Sequence, residues 1–247
     1  MTNPFLTLLP DTAPRGTWLM ASAPTTAEAL SWLDFEFLVV DMEHVPMTIP
    51  DLVQMLRAIG ERSQAIVRLA DNDPVIIKQV LDAGAETLMV PFVQTPEEAA
   101  RAVAASRYPP DGFRGVAAVQ RGSRYGSDTG YFGEANQRIA VIPQLETAEA
   151  LSRLEEIASV DGIDALFIGP GDLAASMGVI GQPGDPRVLA AMADAAARAR
   201  ALGIPIGTVG PDPARVQDYA RMGYDYIAIA SDLGMLLGRA REWRAAI

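Results

Sequence analysis

Residues 37–68 read FLVVDMEHVPMTIPDLVQMLRAIGERSQAIVR, and the fold turns on this stretch. Phe37–Asp41 is a continuous apolar run ending in a charge, without polar alternation, which predicts a parallel strand buried on both faces. Pro50-Asp51 opens a helical pattern that Gly60 stops, and Gln64–Arg68 repeats the buried strand. The same unit recurs outward in both directions. Strands are expected at Thr17–Ala21, Phe37–Asp41, Gln64–Arg68, Thr87–Pro91, Ala140–Leu145, Ala165–Gly169, Pro205–Val209 and Tyr226–Ala230. Helices are expected to open at Thr25-Thr26, Asp73-Pro74, Thr95-Pro96, Thr147, Asp185-Pro186 and Asp212-Pro213, several with proline at the first helical position. Gly84, Gly203 and Gly223 supply further stops. Eight strand–helix repeats favour a closed (β/α)8, or TIM, barrel over an open doubly wound sheet.

The chain has 247 residues, and with no linker in sight 1–247 reads as one barrel domain. Apolar residues make up 49%, enough for a large core, and no apolar run approaches the ~20 residues of a membrane span. Met1-Thr2-Asn3-Pro4 has neither the basic nor the apolar region of a leader, so a cytoplasmic location is expected. The net charge of −11 speaks against nucleic-acid and anionic membrane partners. Cysteine is absent, which removes disulfides, thiolate metal sites and cysteine nucleophiles. One histidine, His44, and one lysine, Lys78, remain to carry imidazole or Schiff-base chemistry.

In such a barrel, polar residues at strand C-termini read as catalytic, because the loops after the strands build the active face. Strand two ends Asp41-Met42-Glu43-His44, strand three at Arg68, strand five Gln144-Leu145-Glu146 and strand six Gly169-Pro170-Gly171-Asp172. Glu146 and Asp172 end neighbouring strands, so their carboxylates can converge, and two hard oxygen donors suit Mg2+ or Mn2+. The competing reading is that each caps the helix that follows it. Arg68 would point into the mouth and could donate to a developing enolate or a carboxylate, or pair structurally with Asp41 or Glu43. His44, with Asp41 and Glu43 as orienting partners, is the candidate general base.

Two other signals are weaker. Gly169–Ala174 fits the G-x-G-x-x-A dinucleotide pattern, but Asp172 would repel a pyrophosphate and no acidic residue closes the unit. Gly171 could instead let backbone N–H groups approach a small carboxylate. Lys78 falls inside a helix, away from the mouth, so no Schiff-base lysine and no nucleotide cofactor are expected. The segments Tyr108–Asn136 and Gly178–Asp185 interrupt the repeat, and long loops of this kind are usually functional or interfacial.

Taken together, Asp41-x-Glu-His44, the strand-end Arg68, Lys78-Gln-Val-Leu-Asp82-x-Gly-Ala, Arg107-Tyr-Pro-Pro-x-Gly-x-Arg114-Gly, Gln144-x-Glu146 and Phe167-Ile-Gly-Pro-x-Asp172-Leu resemble the HpcH/HpaI family of metal-dependent pyruvate aldolases. The resemblance runs over nearly the whole chain. It implies Glu146 and Asp172 as ligands of a divalent ion (Mg2+, Mn2+ or Co2+), and Gln144 with the backbone around Gly171 and Asp172 as the ketoacid site. Arg68 would stabilise the enolate and His44 would be the base. Asp82 would make that histidine more basic from a neighbouring subunit, since it lies near the opposite end of its own barrel. A homohexamer built as a trimer of dimers, exchanging the last helix around Leu233–Trp243, follows from the same resemblance. Departures at Met42, Gly171, Gly122-Ser123, Ser127–Gly130 and Thr208-Val209-Gly210 leave the aldehyde open rather than the ketoacid. The expected reaction is reversible cleavage of a 4-hydroxy-2-oxoacid to pyruvate, or a related 2-oxoacid such as hydroxypyruvate, and an aldehyde. The rivals are an acyl-CoA lyase of the malyl-CoA type, which would need a basic nucleotide surface, a nicotinamide-binding protein, and a silent assembly barrel.

Overall fold

The structure is a computed structural model that describes residues 3–9 and 13–247. Met1 and Thr2, which open the stretch read for a leader, lie outside them. Eight parallel strands close into a barrel in sequence order: β1 Arg15–Leu19, β2 Phe37–Asp41, β3 Gln64–Arg68, β4 Thr87–Val90, β5 Ala140–Leu145, β6 Leu166–Ile168, β7 Ile206–Gly210 and β8 Tyr226–Ser231. Every expected strand is present, most within a residue or two of its expected ends.

The helices are α1 Pro24–Ser31, α2 Ile49–Ile59, α3 Pro74–Asp82, α4 Pro96–Ser106, α5 Tyr131–Arg138, α6 Ala148–Ser152, α7 Leu154–Ala158, α8 Pro170–Ser176, α9 Pro186–Leu202, α10 Pro213–Met222 and α11 Asp232–Ala245. Side chains cap most starts as the sequence predicts. Asp73, Thr95, Thr147, Asp185 and Asp212 each accept a backbone N–H from the first turn, while α2 starts one residue before the expected Pro50, where Thr48 forms a capping box with Asp51. The first helix differs. It begins at Pro24 with Ala23 as an N-cap that makes no side-chain bond, and Thr26 instead donates its hydroxyl to Ala23 O and Asp232. The helix after β5 is broken at Arg153, whose non-helical backbone separates α6 from α7. Within Tyr108–Asn136 the chain forms a 3-10 turn at Arg124–Gly126 and the first part of α5.

Two apolar layers hold the barrel. Val40, Val67, Leu88, Val141, Ile168 and Ile206 face outward against the helices, and Trp18, Phe37, Val39, Ile66, Met89, Ile142, Phe167 and Tyr226 fill the interior. Each large side chain buried in this way contributes about 1.5–3 kcal/mol. The N-terminal end is plugged. The Phe5 ring packs edge-on against Phe37 at 5.8 Å and Tyr226 at 5.2 Å, and the Asn3 amide donates to Glu86 O and Arg138 O. Gly16 and Gly207 make room for those rings, because a Cβ on either would fall within 2.4 Å of Phe37 or Tyr226. Among the described residues, that plug closes the interior below, and a cavity opens at the C-terminal face. Strand register then sets who meets whom there: Asp41 pairs with Arg68, and Gln144 with Phe167.

Candidate active site

The cross-strand pairing of Asp41 and Arg68 becomes a bidentate ion pair at the mouth. Arg68 Nε donates to Asp41 Oδ1 at 2.9 Å and Nη2 to Oδ2 at 2.7 Å, while Nη1 lies 2.8 Å from Glu43 Oε2. The guanidinium stacks 4.4 Å above the Trp18 ring. Three groups therefore fix its plane, and a planar donor held this way suits directional bonds to an oxyanion. The structural and functional readings of Arg68 are compatible, since the ion pairs set the orientation that the function would need.

Asp41 differs from its expected role. Its carboxylate serves Arg68 and accepts the backbone N–H groups of Glu43 and His44, at 3.0 and 3.3 Å, which folds the loop after β2. The carboxylate beside the imidazole is Glu43, 3.9 Å from His44 Nε2. The His44 side chain is 58% exposed and so reaches out of the mouth rather than into its floor. Burial raises the Glu43 carboxyl above its ordinary value, against the opposing pull of Arg68 and His44.

Glu146 sits deeper and is buried. Its Oε1 accepts the Phe92 N–H at 3.0 Å and its Oε2 accepts the Gln144 amide Nε2 at 3.0 Å. Phe92 adopts φ +55 to do so, a left-handed conformation that costs a non-glycine residue of order 1 kcal/mol. Ser22, just after β1, and Ala230, near the end of β8, are left-handed too. Burial first, then the negative charges of Asp172 and Glu43, push the Glu146 carboxyl up to about 7.

The helix-cap alternative fails for both carboxylates. Thr147 caps α6, and Gly169 is the N-cap of α8, with Asp172 exposed inside its first turn. Gly171 is also not sterically required, since an added Cβ there would meet nothing within 4 Å. The glycine that matters is Gly169, where a Cβ would lie 2.4 Å from Glu146 Oε2 and 3.3 Å from Gln144 Nε2. Sequence reasoning passed over it because the crowding comes from another strand. The ion pairing of Arg68, by contrast, was among the sequence's expectations, and the structure makes it with both Asp41 and Glu43 rather than with one of them.

The donor set fits a hard divalent cation. Two carboxylates approach closely enough for one to raise the other, and the Gln144 Oε1 beside them is buried without a hydrogen-bond partner. Among the described residues no third Asp, Glu or His joins them, so remaining positions would fall to water and substrate oxygens. Glu146 crowds Gly169, and Asp172 puts a negative charge in the same turn, where a dinucleotide pyrophosphate would have to sit.

In front of this group opens a cavity of about 450 Å3. Trp18, Arg68, Gln144, Phe167, Gly171 and Asp172 line one side, and Gly184, Val209, Asp212 and Arg215 the other. Glu146, Asp41, Glu43 and His44 stand behind or beside its lining rather than in it, and Asp82 and Lys78 are on α3, away from it. Asp82 ends α3 and takes a 2.7 Å bond from buried Arg114, while Lys78 lies on α3 with its stem beside Gly115.

Known proteins are similar to this chain over most of its length. The chain is 50% identical over 236 residues to the 2-dehydro-3,6-dideoxy-6-sulfogluconate aldolase of Pseudomonas putida, covering 95% of this chain and 92% of that one. It is 43% identical over 233 residues to the hydroxypyruvate/pyruvate aldolase of Sagittula stellata, covering 92% of each. The crystal structure of an HpcH/HpaI aldolase/citrate lyase family protein from Burkholderia cenocepacia superposes with a TM-score of 0.95 at 38% identity, over 99% of both chains. The family profile itself matches residues 15–238, from the first strand into the last helix and across every strand-end residue of the mouth, so the chain belongs to the HpcH/HpaI aldolase/citrate lyase family.

Proposed function

We propose that the chain is a divalent-metal-dependent aldolase that reversibly cleaves a 4-hydroxy-2-oxoacid to pyruvate, or a related 2-oxoacid such as hydroxypyruvate, and an aldehyde. The observation that carries this reading is the buried Glu146, pushed up to about 7 by burial and by Asp172, directly behind Gln144 and Gly169 of a cavity that Asp172 and Arg68 also line. The carboxylates there outnumber the one guanidinium, which is already paired with Asp41 and Glu43. A divalent ion held by Glu146 and Asp172 would supply positive charge and a Lewis acid for the 2-oxo oxygen.

The chain's own residues account for the remaining needs. Gln144 and the backbone around Gly171 and Asp172 would orient the ketoacid. As the C3–C4 bond breaks, its electron pair moves toward C2 and negative charge grows on the 2-oxo oxygen, where the fixed plane of Arg68 donates. His44 takes the proton of the C4 hydroxyl, which lets the aldehyde leave, and a proton returned to C3 completes the ketoacid. Glu43, at 3.9 Å, stabilises the imidazolium so formed. Asp41 acts at one remove, by holding Arg68.

The assembly we propose is a homo-oligomer, a trimer of dimers in which α11 packs on a neighbour and Asp82 serves the neighbour's mouth. Support comes from α11 itself, where Leu236 and Trp243 are 63% and 67% exposed.

The test is metal removal and return. Chelated protein should neither exchange the C3 protons of pyruvate with solvent nor cleave 4-hydroxy-2-oxoacids, and Mg2+, Mn2+ or Co2+ should restore both. Exchange that survives chelation, or that none of the three ions restores, would overturn the reading.

A further inference from the structure

If C1 to C3 of the substrate occupy the Arg68–Gln144–Asp172 side of the mouth, the aldehyde half extends toward the opposite wall. That wall is built by the end of β7, the first turn of α10 and the 178–185 loop. The cavity, about 450 Å3, has room for much more than a three-carbon acid. Among the described residues lining it there are two cations, Arg68 and Arg215. Arg68 is held in place by Asp41 and Glu43, with contacts of 2.7 to 2.9 Å, and its remaining donors serve the 2-oxo oxygen in the reading above.

Arg215 is in a different condition. Its one charged partner among the described residues is Asp218, one helical turn on, at a loose 3.5 Å, and its side chain is 30% exposed. Nη2 reaches across to the 178–185 loop and would lie 3.5 Å from a Cβ at Gly184. The guanidinium is only distantly over Tyr219, at 5.9 Å from the ring centre. The competing negative charge on this wall is Asp212, which is exposed and turned to its own helix, accepting the Arg215 N–H at 2.9 Å. A protein of net charge −11 thus leaves one guanidinium with spare donors facing the far end of its mouth.

We propose that Arg215 selects aldehydes ending in an oxyanion, a carboxylate or a sulfonate, by a charge-assisted hydrogen bond to that terminus. The proposal rests on the aldolase reading above. Both anions offer coplanar or tripod oxygens to a guanidinium fork, and Val209 and Pro183 add apolar surface to the same wall.

The experiment measures kcat/KM for aldol addition of pyruvate to 4-oxobutanoate and its methyl ester, and to 3-sulfopropanal and its neutral methyl sulfone analogue. The anionic-to-neutral ratio is the readout, which cancels any general loss of activity. Wild type should prefer at least one anion over its neutral partner, and that preference should weaken as salt rises. Arg215→Gln should lower the ratio roughly 10- to 100-fold, the size of one charged hydrogen bond left unmade. Arg215→Glu should lower it further, and Arg215→Lys should restore part of it. Loss of preference for only one anion assigns the terminus; an unchanged ratio in both Gln and Glu variants, or no wild-type preference, overturns the proposal. Absence of pyruvate C3 exchange in wild type with metal returned would instead overturn the aldolase reading, and this proposal with it.

Discussion

Gly169→Ala tests the construction of the site through one methyl group. The backbone at Gly169, φ −89 and ψ 98, accepts alanine, so any effect is contact and not strain. The new Cβ would stand 2.4 Å from Glu146 Oε2 and 3.2 Å from Glu146 Cβ, where ordinary contact begins at 3.4 Å. The carboxylate must therefore retreat by roughly 1 Å, a displacement that typically costs ~100-fold in rate when it separates reacting groups. Retreat strains the bonds that Glu146 accepts from Gln144 and Phe92, both 3.0 Å, and overpacking of this kind costs about 1–3 kcal/mol. The assay is pyruvate C3 exchange over a metal titration, with the melting temperature followed in parallel. The expected outcome is a folded, slightly less stable protein with weakened metal response and exchange down about 100-fold. Gly133→Ala, in α5 with nothing within 4 Å of the added Cβ, is the control and should keep wild-type exchange. Gly169→Ala with rate and metal response within about threefold of wild type would refute the idea that catalysis depends on where Glu146 stands.

Three further outcomes are expected. A carboxyl raised from 4.5 to about 7 binds its proton more tightly in the folded state, so its contribution to stability is complete below 4.5 and lost as pH rises through about 7. In metal-free protein, Glu146→Gln should remove that slope, gaining about 3 kcal/mol on wild type between acid and mildly alkaline pH at about 1.4 kcal/mol per pKa unit; parallel denaturation curves would disprove it. Arg68→Lys keeps the charge but loses the fork held by Asp41 and Glu43, and turnover should fall ~100-fold with little change in KM; a KM effect alone would make Arg68 a carboxylate anchor instead. His44→Ala should leave a residual cleavage that strengthens as pH rises, because hydroxide can partly replace a base, and a wild-type pH profile would assign the proton transfer elsewhere.

The barrel was legible before any coordinates because its determinants are local. Unalternating Val/Ile/Leu runs, caps such as Asp73 and Thr95, and glycine stops repeat at a strand–helix spacing that closes only one way. The strand ends Asp41, Arg68, Gln144, Glu146 and Asp172 were legible for the same reason, since a parallel barrel presents every strand C-terminus on one face. What lay beyond reach was how those ends share their partners. Sequence places Asp41 near His44, yet β2–β3 register gives its carboxylate to Arg68 and leaves Glu43 beside the imidazole. Gly169 read as a strand end and the first glycine of a weak nucleotide pattern until β5 brought Glu146 against it, and Phe92 carried no mark of the left-handed turn that aims its N–H. Arg215 was one arginine of 19 until closure of the barrel put it across the mouth from Arg68. Patterning along a chain determines which elements form, because propensity and burial act over a few residues. Closure and register bring distant side chains within hydrogen-bonding range, and only there are charge, proton affinity and crowding decided.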